Sequence, residues 1–182
     1  PKATSQFAKT ILSPITHARN FFSAATFQTA NGIWFENPKV LGAAWRDAMG
    51  ALQPQNFREN TPAAQEFYRK LLKYRVTNSN VRMGDMSGLF KDVMEGRMTT
   101  DKTAKMMLQP NWFKKFTRWS QDMYVAEDDF WKGSNWIMER YRYKNAYKKA
   151  FDKGIIKKMP TNDALEEMAS DIVRNTVPNY EY

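Results

Sequence analysis

Between Pro110 and Gly154 the chain holds no proline. Asn111 to Lys153, 43 residues, therefore carries a nearly continuous helical pattern that a glycine closes. Ordinary globular helices are much shorter. This run, with few Val-rich stretches and only eight glycines to suit a β protein, predicts an all-α chain. The expected architecture is an irregular multi-helix array with one long, kinked helix over about 111–153.

The kink is expected from the apolar positions. Trp112, Phe116, Trp119, Met123, Ala126, Phe130 and Ile137 fall within one arc at roughly 100° per residue. Past Arg140 the apolar arc is formed by Tyr143, Ala146, Tyr147, Ala150 and Phe151, while Arg140, Lys144 and Lys148 take over the earlier sector. Gly133-Ser134 lies at the changeover, and Gly/Ser pairs are known kink sites. A bend or break between about Phe130 and Trp136 is expected, or two halves packed on different partners.

Elsewhere a polar residue followed by proline marks three helix starts, at Ser13-Pro14, Asn37-Pro38 and Thr61-Pro62. They predict helices over about 14–31, closed by Asn31-Gly32, and over 38–52 and 62–77, with a short helix around 4–12 before them. Asp85 is expected to cap a helix ending near Gly96, and Thr100 another ending before Pro110. A last helix is expected from about Asn162 to Asn175, ahead of Pro178. No repeat, low-complexity tract or Gly/Ser linker divides the chain, so 1–182 reads as a single helical segment. Its ends, at Pro1 and at Glu181-Tyr182, suggest a fragment of a larger protein.

The absence of cysteine excludes disulfides, Cys-ligated metals and thiol nucleophiles. The longest uncharged stretch, Asn20 to Phe35, holds six polar residues and Gly32 and is shorter than the ~20 apolar residues of a membrane span. His17 is the only histidine and is assigned a structural role, and no Gly-rich phosphate loop is present. Glu127, Asp128 and Asp129 form the one tight acidic cluster, with Asp122 a turn or more earlier. Arg118–Asp122 and Asp128–Lys132 both have i,i+4 spacing, so these acids read as ion-pair partners on a solvated helix face rather than a metal or acid–base site. The reading is of a non-enzyme with no cofactor and no small-molecule substrate.

The interaction signal lies in charge. There are 28 Lys and Arg against 19 Asp and Glu, a net charge of +9. The densest basic run holds Arg140, Arg142, Lys144, Lys148, Lys149, Lys153, Lys157 and Lys158 against Glu139 and Asp152 alone. These charges flank the face of Tyr143, Tyr147 and Phe151. Three readings stand in order: a soluble rim around a core-facing helix, a membrane-surface helix, and a contact to nucleic-acid backbone. No base-reading module is present, so a nucleic-acid contact would lack sequence preference.

Three stretches carry a resemblance: Thr10 to Asn20 (TILSPITHARN), Tyr124 to Lys132 (YVAEDDFWK) and Val173 to Tyr180 (VRNTVPNY). They resemble segments of very large, helical, polyvalent or internal virion proteins of tailed bacteriophages, especially marine ones. The resemblance implies a structural or ejected virion protein segment, located in the virion and delivered into the host cell. It would act by helix packing with other segments of its parent protein or with other virion proteins. The alternative is a nucleic-acid-binding accessory module of a phage protein. The resemblance supplies no catalytic residues, and Tyr124 to Lys132 reads as a packing motif because Phe130 belongs to the main apolar stripe.

Overall fold

A computed structural model describes residues 14–52, 54–55, 57–77 and 111–176. Among them are six helices and no strand: α1 (Pro14–Ala30), α2 (Ile33–Glu36), α3 (Pro38–Gly50), α4 (Pro62–Lys73), α5 (Asn111–Asp152) and α6 (Asn162–Thr176). The fold is all-α. The helices expected at 4–12, from Asp85 to Gly96 and from Thr100 to Pro110 lie outside the described residues, as do the Ser13 cap and the side chains of Trp112, Phe116 and Arg118.

Local chemistry sets the starts. The Asn37 side chain accepts from the backbone N–H groups of Lys39 (3.1 Å) and Val40 (3.3 Å), and Pro38 follows in the first turn. Thr61 accepts from Ala64 N–H at 3.2 Å, and Thr161 does the same for Ala164 at 3.2 Å. Gly32, at φ 72°, ends α1 in the left-handed conformation that glycine takes without strain. One further turn, α2, then swings Ile33 into the core.

α4 stops at Lys73, four residues short of the expected end. Arg75 adopts φ 53°, and Val76 N–H reaches back to the Leu71 carbonyl at 2.9 Å while Arg75 N–H reaches Leu72 at 3.0 Å. This is a Schellman closure with an arginine where glycine usually stands. Its conformational cost, about 1–2 kcal/mol, is offset by placing Val76 beside Leu71 in one buried cluster.

α5 runs as helix without interruption through Gly133-Ser134, so the expected kink is not confirmed. Its surroundings change instead. α1 lies along the stretch from Glu127 to Arg142 and runs parallel to it: His17 meets Glu127, Phe21 meets Trp131, Gln28 meets Ser134 and Asn31, just past its end, meets Arg142. α3 crosses the middle in the opposite sense, with Trp45 against Phe130 and the Asn37 amide donating to the Tyr141 hydroxyl at 3.2 Å. α6 covers a third side through Trp136, Arg140 and Tyr147. Six consecutive residues, Trp131 to Trp136, are consequently buried. Lys144 and Lys148 share the α3 sector in angle but lie beyond the start of α3, which is level with Tyr141. They stay exposed on an unbroken helix.

Two core clusters flank α5. One joins Leu71, Tyr74, Val76, Trp136, Ala169 and Val173; the other joins Ile33, Leu41, Ala44 and Met138. Ile137 packs against both.

Candidate functional site

The basic run divides into two groups. Arg140 reaches the Glu166 carboxylate at 3.1 Å, a buried group that also receives Lys70 at 3.0 Å. Trp136 Nε1 donates to the Glu166 carbonyl (3.1 Å) and to Ser170 Oγ (2.8 Å), and the Arg140 guanidinium lies 5.3 Å from the Trp136 ring centre. Arg142 pairs with Glu139 at 3.0 Å and Glu36 at 3.7 Å, and donates to the Asn31 carbonyl at 3.1 Å. Both arginines therefore tie helices together. Lys144, Lys148, Lys149, Lys153, Lys157 and Lys158 are all exposed and form no ion pair among the described residues.

The face that these charges flank is also divided. Tyr143 and Tyr147 turn partly inward, and the Tyr147 hydroxyl donates to Met168 Sδ at 3.6 Å. Burial raises the Tyr143 hydroxyl above its ordinary value, reinforced by the nearby Glu139. Phe151 and Ile155 remain in solvent, 45% and 72% exposed. The helix end holds them there: Ile155 N–H bonds the Ala150 carbonyl and Gly154 N–H the Phe151 carbonyl, each at 2.9 Å, with Gly154 at φ 70°.

The acidic cluster lies inside the fold. Asp128 and Lys132 form the expected i,i+4 pair at 3.1 Å, but it is buried, with the lysine side chain only 3% exposed. The solvated face expected there does not exist, because α5 is enclosed on all sides at this level. Asp129 is buried too. Glu127 accepts from or donates to His17 Nδ1 at 3.4 Å, and the His17 ring stands edge-on to Tyr124, 6.0 Å between centres. Burial pushes the Glu127 carboxyl above its ordinary 4.5; the His17 hydrogen bond and charge pull it down, and Asp128 pushes it up again. Glu127 Oε1 is buried without a hydrogen-bond partner among the described residues. Two of the three stretches that carry the resemblance thus pack on one another at His17, Tyr124 and Glu127.

Further along the same seam, Gln28 Nε2 donates to Ser134 Oγ at 2.9 Å, and Trp34 Nε1 donates to Gln28 Oε1 at 3.2 Å. The Gln28–Ser134 bond, like the His17–Glu127 pair, joins residues more than a hundred positions apart, and spacing along the chain gives no sign of either. Glu166 left a fainter signal: with Ala169, Ser170 and Val173 it falls on the buried face of α6 at helical spacing. Among the described residues no group of three or more His, Asp or Glu side chains is placed to hold a metal ion, and no helix is long and apolar enough to cross a membrane.

A cleft of about 340 Å³ opens between α3, α4 and α5, lined in part by Arg46, Asp47, Glu59, Glu66, Lys70 and Arg140. Its charges are of both signs. The outer side of α1 is different. Phe22, Phe27 and Ala30 line a shallow groove of about 400 Å³, with Arg19, Ser23 and Thr26 between them. No protein-family model, curated protein or solved structure matches the chain.

Proposed function

We propose that this chain is a structural or ejected segment of a tailed-bacteriophage virion protein, working by helix packing against other segments of its parent or other virion proteins. The observation that carries the packing part of this reading is the outer face of α1 and α2. Ile15, Phe22 and Phe35 are 72%, 69% and 77% exposed there, whereas the opposite side of α1 is seated on α5. Ile15, Phe22 and the intervening Arg19 share one stripe of the helix at i, i+4 and i+7 spacing. Phe22 and Phe27, both exposed, line one groove on this side, and large apolar side chains held in solvent together are suited to contact with another macromolecule. The phage origin draws on the three resembling stretches, two of which are in mutual contact.

A non-sequence-specific nucleic-acid module is the second reading, and it draws on the six lysines without an ion pair among the described residues. The two arginines best suited to gripping phosphate are already committed to carboxylates. Virions of the encoding phage, purified and analysed by mass spectrometry, should contain peptides of this chain. A photo-crosslinking residue at Phe22 should then join it to another virion protein or to a distant part of its parent. Virions lacking the chain would overturn the phage reading, and a Phe22 probe that captures no protein would overturn the packing reading.

A further inference from the structure

We propose that the C-terminal end of α5 and the turn after it form a docking surface for an anionic lipid bilayer. This rests on a different face from the one used for helix packing and stands independently of it. Among the described residues, the helix beyond Tyr141 has outrun α3, and α6 covers one side through Tyr147 and Met168. Lys144, Lys148 and Phe151, all exposed, share the side that no other described residue covers, within roughly 60° of arc. The Schellman turn at Gly154 then folds the chain back and leaves Ile155 at the tip beside them.

Two properties of this tip together select the partner. Six lysines stand against Asp152 alone between 143 and 158, and none of the six has an ion pair among the described residues. Lysine is a compact, strongly hydrated charge on a flexible apolar stem, suited to a diffuse anionic surface rather than to bidentate recognition of one phosphate. Phe151 and Ile155, 45% and 72% exposed, fall between Lys149 and Lys157 in the same exposed stretch of chain. A nucleic-acid backbone offers an aliphatic side chain such as Ile155 nothing apolar to enter. A bilayer does: apolar side chains settle at the boundary of headgroups and acyl chains while lysines reach the anionic headgroups above it. The chain would lie against the membrane without spanning it.

The test uses the purified chain with vesicles of phosphatidylcholine alone, vesicles that also contain phosphatidylglycerol, and a DNA duplex. The expected result is salt-sensitive co-sedimentation with the phosphatidylglycerol vesicles and none with the neutral ones. Lys144→Gln/Lys148→Gln/Lys149→Gln should weaken it on the order of a hundredfold. Phe151→Ser/Ile155→Ser should weaken it about tenfold or more, with an unchanged circular dichroism spectrum for both variants. Because the chain has no cysteine, Ile155→Cys accepts a single environment-sensitive dye, whose emission should shift to the blue on anionic vesicles. Absence of vesicle binding overturns the proposal, with or without lysine-dependent DNA binding. So does equal binding to neutral vesicles, or anionic binding that survives Phe151→Ser/Ile155→Ser with no dye shift.

Discussion

Trp136 and Met138 stand two residues apart on α5, both almost wholly buried, yet they belong to different core clusters on opposite sides of the helix. Two residues advance a helix by roughly 200°, so this pair can be satisfied only where protein lies on both sides. Met138 is the test of that enclosure. Met138→Ala should cost about 2–5 kcal/mol, because Met138 is fully buried and the space it leaves is walled by Ile33, Leu41 and Ala44. Phe35→Ala, two residues from Ile33 but 77% exposed, should change stability by no more than about 0.5 kcal/mol. Urea denaturation of both variants checks the contrast.

Gly133 offers a sharper test of whether the long helix needs to bend. A Cβ placed there would meet Ala48 Cβ and Leu71 Cδ1, both at 3.5 Å, which is ordinary van der Waals contact. Gly133→Ala should therefore stabilise the fold by about 0.5–1 kcal/mol through helix propensity. A loss of stability in the denaturation midpoint would mean that the glycine is required by local geometry.

Glu166 joins α4, α5 and α6 by receiving Lys70 and Arg140 on one buried carboxylate. Removing it leaves both cations without that partner, but each is more than a third exposed and can turn toward water. Glu166→Ala should cost about 1–3 kcal/mol, below the loss expected when both partners are buried. Arg140→Ala should cost less, about 1 kcal/mol or under, since Lys70 remains. A double variant of Lys70 and Arg140 that proves less harmful than Arg140→Ala alone would contradict the shared-hub account.

The acid side of the pH profile should carry the mark of Glu127. Its carboxyl is raised above the ordinary 4.5 by burial, so between 4.5 and the raised value the folded chain holds a proton that the unfolded chain has released. This contribution to stability is therefore present at low pH and is lost as pH rises through that window. Glu127→Gln keeps an acceptor for His17 and removes the titration. It should flatten the profile there and be at least as stable as the parent at neutral pH. An unchanged slope in denaturation midpoints across the window would refute the assignment.

Much of the helical layout was legible in the chain because the signals are local. Asn37-Pro38, Thr61-Pro62 and Thr161 bond their own first turns, and the end of the long helix is set by Gly154. The end of α4 was hidden because Arg75 takes a left-handed conformation that no local preference favours, held by the packing of Val76 on its cluster. The single turn α2 is likewise the product of burying Ile33. For the site, the basic run was visible as composition, but the commitment of Arg140 and Arg142 was not. Their partners, Glu166 and Glu36, come from other helices. The enclosure of Asp128 and Lys132 was hidden for the same reason: an i,i+4 pair looks alike on an exposed helix and on one ringed by neighbours.

The enclosure of α5 also orders the steps by which the chain can assemble. Trp136 bonds Glu166 and Ser170 across only 30 and 34 residues, so α5 and α6 can close on each other early. The bonds from Asn37 to Tyr141, Gln28 to Ser134 and Asn31 to Arg142 span 104, 106 and 111 residues, and each must pay the entropy of a long loop. α1 and α3 thus arrive last onto an α5–α6 hairpin. Pulse-labelled hydrogen exchange should show amides of α5 and α6 protected before those of α1.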